Sequence, residues 1–445
     1  FCARSSSGLV MAQCSQVCSC APWCYLPWCC LAFSFLLRGS VGGSLPSGAG
    51  SVGLGDMATH VCPFWRHTGN MSTPQYLVYP RQYVAYYLPP SEAPILDGNL
   101  NDVAWQQVPF TEPFVDIANH VKPRFETRAK IRWTDDALYV AAQLEEPDVW
   151  ANVTKHDDVI FHDNDFEVFV DISGSNAYYK ETEVNALGVT WDLSLNKPYG
   201  DGGGENSSRT LGAHGFDMAN MVPPLMARAR VRGPINDPAV RNGGWSVELR
   251  LPFVGLKLNN TVQNYTPRPG DFWRINFSRV EWHVMNRGGR YVKDPAYPHE
   301  DNWVWSRQGE VQMHLPERWG ILQLAAGTVN ATSVAMLPSW NERAVAMTIY
   351  YAQHAVLAKF GRFTNSVKLL AEYAPPRTLD GSCTGAVSVS LVDGAADFCA
   401  RVPSLDGTRE ACVRGDRRLS VVSNNEGVCN CFSYDRNMQS NPHVK

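Results

Sequence analysis

The sequence predicts a mainly β protein: an antiparallel, immunoglobulin-like β-sandwich of jelly-roll type with a small α+β appendage at its C-terminal end. Three observations lead there. Short segments alternate between apolar and polar residues from Ala93 to about Leu324, the period-2 pattern of half-buried strands. Gly (35) and Pro (29) punctuate them, as the turns of a sandwich or barrel require. Apolar residues are 44% of the chain and charged ones 18%, with 14 Trp, so material for an aromatic-rich core is present. Domains are expected over 1–85 (leader and linker, largely disordered), 86–325 (sandwich) and 335–445 (appendage).

At the N-terminal end, residues 28–37 form an apolar run of ten followed by Arg38 and small residues. A bilayer span needs about 20, so no stable membrane span is expected, and the run has the length of a signal-peptide core. Seven Asn-x-Ser/Thr sequons, at Asn70, Asn152, Asn206, Asn259, Asn264, Asn276 and Asn330, fit a secreted glycoprotein. Of 13 Cys, eight lie at or before Cys62 and five at or after Cys383. The long middle must therefore be stabilised by burial alone. Tail bridges are expected, for instance Cys383 or Cys399 with Cys412, although spacing does not choose among pairings. The net charge of −4 leaves no basic excess to neutralise a phosphate backbone, so nucleic acid is not the expected partner.

Strands are expected at 128–133, 137–144, 166–171, 178–185, 189–195, 226–231, 245–251 and 272–280. After Pro338 the period changes. A helix capped by Asn341 and ended by Gly361 is expected, then a shorter one over 366–373, then a meander of strands at 386–392, 398–402 and 419–422.

Alternation also sorts side chains by face. Glu167, Glu183, Asn185, Asp192, Arg274 and Asn276 are expected together on one polar sheet surface. Carboxylates, amides and arginines in company suit a polyhydroxylated ligand, whose hydroxyls both donate and accept. A sugar ring also offers an apolar face to aromatic planes, for which Trp191, Trp282, Trp303, Trp305 and Trp319 are candidates. The oxygen-rich turn holding Asp163 and Asp165 is a candidate for Ca²⁺. No Ser/His/Asp triad, phosphate loop or thiolate zinc site is readable.

Several motifs resemble carbohydrate-binding module family 9. The opening stretch 94–105 reads Pro-Ile-Leu-Asp-Gly-Asn-Leu-Asn-Asp-Val-Ala-Trp. In the family's order follow 133–140 (Trp-Thr-Asp-Asp-Ala-Leu-Tyr-Val), 165–171 (Asp-Phe-Glu-Val-Phe-Val-Asp), 244–252 (Gly-Trp-Ser-Val-Glu-Leu-Arg-Leu-Pro) and 316–322 (Pro-Glu-Arg-Trp-Gly-Ile-Leu). Stretches such as 276–282 look closer still to a largely uncharacterised branch, within a wider set of haem- and sugar-binding sandwiches. The resemblance implies a β-sandwich that binds plant or microbial polysaccharides or oligosaccharides, with calcium in some members. By it, Glu167 matches a sugar-contacting carboxylate. The two clamping tryptophans fall at Phe161 and Met313, and a strand arginine falls at Glu183. Stacking is then expected from Trp282, Trp303 or Trp305.

The expected function is non-catalytic carbohydrate binding, in carbohydrate catabolism, without an assigned catalytic residue. Glycoside hydrolysis by a pair among Glu167, Glu183 and Glu248 is the second class. A b-type haem electron-transfer domain, ligated from among His214, Met218, Met221, His283 and Met285, is the third.

Overall fold

Alternation decides which side of each strand meets the core, and in a computed structural model it does so throughout residues 73–258 and 265–423, which with Cys62 and Cys431 are those the structure describes. The expected signal segment and the sequons at Asn70, Asn259 and Asn264 lie outside the described residues. The fold is mainly β. Its strands are β1 (Gln82–Tyr87), β2 (Val115–Asp116), β3 (Thr127–Trp133), β4 (Ala137–Leu144), β5 (Asp165–Asp171), β6 (Tyr179–Asn185), β7 (Thr190–Leu195), β8 (Glu205–Asn206), β9 (Met226–Val231) and β10 (Trp245–Pro252). There follow β11 (Phe272–Glu281), the hairpin β12 (Val284–Arg287) and β13 (Arg290–Lys293), β14 (Asp301–Val304) and β15 (Gly320–Ala325).

These strands, the hairpin apart, form one sheet in the order β8-β7-β6-β5-β11-β15-β1-β3-β4-β10-β9, with β14 bonded to β11 and β2 to β14. The sheet curls into a sandwich. Ile131, Val140 and Val247 on one half share a core with Phe166, Val168, Ile275 and Phe277 on the other. Each such side chain contributes about 1.5–3 kcal/mol on full burial. Pairing is antiparallel except at β1, which runs parallel to both β15 and β3. β1 begins at Gln82, inside the stretch expected to be linker, and Tyr76 and Leu77 before it are also buried.

The opening stretch 94–105 folds back over the outer side of β10. Glu248, fully buried, accepts from Trp105 Nε1 at 2.7 Å, Asp97 N at 2.9 Å and Gly98 N at 2.8 Å. Gly98 has φ +82°, and a Cβ there would come within 2.8 Å of the β9 backbone. Glu248 is thus a structural anchor, removed from the other carboxylates with which it was grouped for hydrolysis.

The appendage has the helix Trp340–Phe360, closed by Gly361 at φ +70° as expected but preceded by Ser339 rather than capped by Asn341. The short helix Val367–Ala371 is capped by Ser366. Strands β16 (Ser388–Val392), β17 (Asp397–Pro403), β18 (Arg409–Arg414) and β19 (Leu419–Ser423) form a four-stranded meander. The long helix, Leu77 and Ile321 of β15 share a core with Phe398, Val402 and Val413. The described residues form one compact unit. Disulfides join Cys62 to Cys383 and Cys399 to Cys431, so neither illustrative bridge to Cys412 forms. The reason is topological: residue 62 lies 321 positions from its partner. Among the described residues no helix is long and apolar enough to cross a membrane.

Replacing Glu248 with Ala strands three buried or half-buried donors, each costing about 1–3 kcal/mol. Glu248→Ala should lower unfolding free energy by roughly 3 kcal/mol or more in urea titrations, whereas Glu126→Ala on the exposed surface should change it by less than about 0.5 kcal/mol.

Candidate functional site

On the side of β5, β6, β7 and β11 turned away from the sandwich core, register builds rows across the sheet. Trp191, Glu183, Glu167 and Ser278 make one, and Leu193, Glu181, Phe169 and Asn276 the next. Asp165 and Asn185 pair one step further along. Carboxylate oxygens of Asp165, Glu167 and Glu183 lie within 4.8 Å of one another. Their exposures are 0, 5 and 2%. Among the described residues no Lys or Arg forms an ion pair with any of the three.

Isolated charge in such surroundings is costly, and the proton affinities respond. Burial raises Glu167 to about 7, with Glu300 adding to the rise. Burial and then the neighbouring Glu167 push Asp165, Glu181 and Glu183 well above the usual carboxylate range. Glu183 accepts from Phe161 N at 3.0 Å. Asp165 Oδ1 accepts from Val280 N at 3.1 Å, while its Oδ2 is buried without a hydrogen-bond partner.

The face is not the open patch that alternation alone implied, because loops roof it. The turn Ile160–His162 lays Phe161 against Trp191 at 6.4 Å between ring centres. Arg209 stands over Trp191 at 5.0 Å. His314 contacts Phe169, Tyr179 and Tyr199, and burial lowers its basicity to about 3. Loop residues carry no period, so nothing in the sequence announced Tyr199 or His314 as the roof. Glu181 was legible, since it shares its parity with Glu183.

At one margin the cover thins. Phe161 is 36% exposed, and half-buried Trp282 donates through Nε1 to the Phe161 carbonyl at 2.9 Å. Lys293 Nζ lies 3.1 Å from the Trp282 ring centre. Burial lowers the Lys293 pKa, while Asp163 and Glu300 oppose that shift. Phe161, Trp282, Lys293 and Glu300 therefore edge the acidic row.

Other expected ligand residues have different tasks. Trp303 and Trp305, 2 and 0% exposed, are core residues. Arg279 covers Trp303 at 5.1 Å, and Trp305 leaves no room for a Cβ at Gly320, which would approach it to 2.3 Å. Neither can stack on a ligand. Asn276 is locked to Ser306 by paired bonds of 2.9 Å. Arg274 pairs in register with Asp171, four residues and about 13 Å along the strand from Glu167. Its guanidinium donates to the Trp319 carbonyl, and burial lowers it to about 10. Asn185 holds its own turn, donating to Val153 O and Asp163 and accepting from Leu187 N and Val189 N. Asp192 pairs with Thr182, so it points to the opposite side of the sheet from Glu183. Parity within a strand is readable, but parity between strands depends on register.

The donor set of Asp165, Glu167 and Glu183, with the orphaned Asp165 Oδ2, fits a hard cation such as Ca²⁺. Asp163 does not join it: its Oδ2 accepts from Asn152 N, Val153 N and Asn185 Nδ2 at 2.8–3.0 Å. The haem candidates are dispersed. Met218 and Met221 pack around Gly255, whereas His283 stacks on Tyr297 at 4.0 Å beside the β12–β13 hairpin. Elsewhere, a groove of about 390 Å³ on the outer side of β3 and β4 is lined by Phe110, Glu126, Arg128, Gln143, Glu145, Arg232 and Gly243.

A carboxyl whose folded pKa is raised holds its proton longer when folded, so stability falls as pH rises from the unfolded value near 4.3 through the folded one. For Glu167 that window ends at about 7. In metal-free buffer, Glu167→Gln should therefore be more stable than the parent at pH 8 and nearly equal at pH 4, measured by thermal melts; a constant difference across that range would contradict the assignment.

No curated protein matches the chain. Among solved structures, a carbohydrate binding module family 9 from Caldicellulosiruptor kristjanssonii in complex with cellotriose is 15% identical, covering 57% of this chain and 99% of its own, with a TM-score of 0.33. The same source's module in complex with glucose is 16% identical over 57% of this chain and 100% of its own, TM-score 0.33. A putative carbohydrate-binding protein from Bacteroides uniformis is 15% identical over 55% and 99%, TM-score 0.39. A family model described as "Carbohydrate family 9 binding domain-like" matches residues 95–266, from the opening stretch to the segment after β10. The chain thus carries a carbohydrate family 9 binding domain-like domain over those residues.

Proposed function

We propose that the protein binds a polysaccharide or oligosaccharide without cleaving it, at the margin where Phe161 and Trp282 border the row of Glu167, Glu183 and Asp165. One observation carries the reading: two aromatic residues joined by a hydrogen bond, Phe161 inside the matched domain and Trp282 beyond it, stand at the thin edge of a carboxylate cluster that lies within that domain. Rings offer the apolar plane that a pyranose face packs on. Carboxyls at the floor accept from sugar hydroxyls when ionised and donate when protonated. Ca²⁺ at the same carboxylates belongs to this proposal, as the alternative to protons for neutralising them.

Secretion is part of the same reading. Two disulfides support an oxidising compartment, and the sequons at Asn152 and Asn330 are exposed. Asn276, buried and bonded to Ser306, is not an acceptor in the folded chain.

Glycoside hydrolysis is the second reading, favoured by the raised Glu167 carboxyl, which resembles that of a general acid. It needs a partner carboxylate that stays ionised, and Glu183 is instead pushed up beside it.

Calorimetric titration with xylan, cellulose and cello-oligosaccharides should give saturable heat. Trp282→Ala should weaken binding about tenfold, the effect of losing an aromatic contact worth roughly 1.4 kcal/mol, with Phe110→Ala in the outer groove unchanged. No heat with any glycan, or loss confined to Phe110→Ala, would reject the site. The purified protein should release no reducing sugar from these glycans on prolonged incubation, and release abolished by Glu167→Gln would establish the second reading instead.

A further inference from the structure

On the other side of β7, away from the acidic row, a second cluster has no part in the proposed sugar site. His156 Nδ1 lies 2.8 Å from the Thr190 carbonyl oxygen. A carbonyl only accepts, so Nδ1 carries the hydrogen and fixes the ring's orientation. Nε2 then faces two carboxylates, at 3.4 Å from Asp157 Oδ1 and 3.4 Å from Asp217 Oδ1. Zinc bonds of about 2.0–2.2 Å to nitrogen and oxygen in tetrahedral geometry place neighbouring ligand atoms about 3.3–3.6 Å apart. The Nε2 to carboxylate spacings have that length, and all three ligand atoms lie within 4.8 Å of one another; Asp217 Oδ1 also accepts from Ala219 N at 2.9 Å and Asn220 N at 3.1 Å, two bonds that hold this oxygen in place beside the imidazole.

An independent observation concerns Asp192, the next residue on the Thr190 side of β7. It is fully buried, and its Oδ2 accepts from Met218 N at 2.6 Å. Its Oδ1 is buried and without a hydrogen-bond partner. The backbone Asp192 N donates to Asp157 Oδ1 at 3.2 Å, and the bond from Met218 N sets the carboxylate next to Asp217 in the chain, so the residue borders the cluster. Asp157, Asp217 and His156 all lie close enough to the Asp192 carboxyl to act on it electrostatically. The cluster therefore carries one imidazole against three carboxylates.

We propose that His156, Asp157 and Asp217 bind a divalent transition-metal ion of the zinc class, with the Asp192 carboxylate buried beside it. An imidazole in the set distinguishes it from an all-oxygen calcium site. The Thr190 carbonyl acts as the outer partner that metal-bound histidines commonly have. His156 is partly open to solvent, with its side chain 36% exposed, giving the ion an entry route. Its mechanical consequence is local. His156 and Asp157 precede β5, while Asp217 and Ser208, which bonds Asp157, belong to the 207–220 segment. An ion would pin that segment, which also carries Arg209 over Trp191, to the sheet.

The test uses the untagged full chain, stripped with chelator and titrated with ZnCl₂ in the absence of sugar. One site lost in His156→Gln and in Asp217→Asn, each weakening affinity at least about tenfold, is the expected result, with Glu126→Gln on the exposed surface unchanged. Co²⁺ should give the visible absorption of a four-coordinate site in the parent and not in His156→Gln. Circular dichroism of both variants checks that they fold. Absence of a saturable site, or one that persists in both folded variants, overturns the proposal. Glycan titration plays no part in it, so its failure and that of the sugar reading are distinguishable.

Discussion

The central constraint is negative charge buried without a counter-cation. Glu167 and Glu183 face each other directly across β5 and β6, an arrangement that repels when both are ionised. Asp165 and Glu181 add to it. The strands cannot separate these groups, because shifting the register by one residue would turn Phe166, Val168 and Val184 out of the core. Relief has to come from protons, from a cation, or from a hydroxyl-rich ligand. The pairing that fixes these strands therefore also fixes the repulsion between their carboxylates.

The roof over that face is tied to the appendage by a compact polar cluster. Arg417 donates to Asp201 and to Glu317, each at 2.7 Å, while the hydroxyls of Tyr350 and Tyr351 donate to those same carboxylates. Burial would raise Glu317, but Arg417 and Arg318 outweigh it and hold the carboxyl below its ordinary range. Here charge is paired, in contrast to the acidic row. Asp201 sits two residues after Tyr199, and Glu317 three after His314, so β19's approach, the long helix and the two roofing loops share one set of bonds.

What the residues disclosed followed from local periodicity. The strands β3, β4, β5, β6, β7, β9, β10 and β11 were readable from alternation, and so was the grouping of Glu167 with Glu183. Parity between strands was not, even for the neighbours β6 and β7, because it depends on register; Asp192 pairs with Thr182 and so emerges opposite Glu183. Tryptophan content announced aromatic surfaces, yet Trp303 and Trp305 are core pieces; composition is silent on burial. β1 was hidden because its parallel partners lie far away in sequence, and β18 because Arg409, Glu410 and Arg414 break its apolar pattern. The His156, Asp157 and Asp217 cluster joins segments about sixty positions apart, beyond any local spacing rule.

The place of β1 and β15 has a practical corollary. Along the sheet they fill the gap between β11 and β3, and all three of β1, β11 and β15 fall outside residues 95–266. A fragment cut to the matched boundaries would split the curled sheet into two pieces with raw backbone edges, which invite intermolecular pairing. Expression of this module on its own therefore calls for limits set by strand closure, from the start of β1 to the end of β15, and not by where recognisable motifs begin and stop.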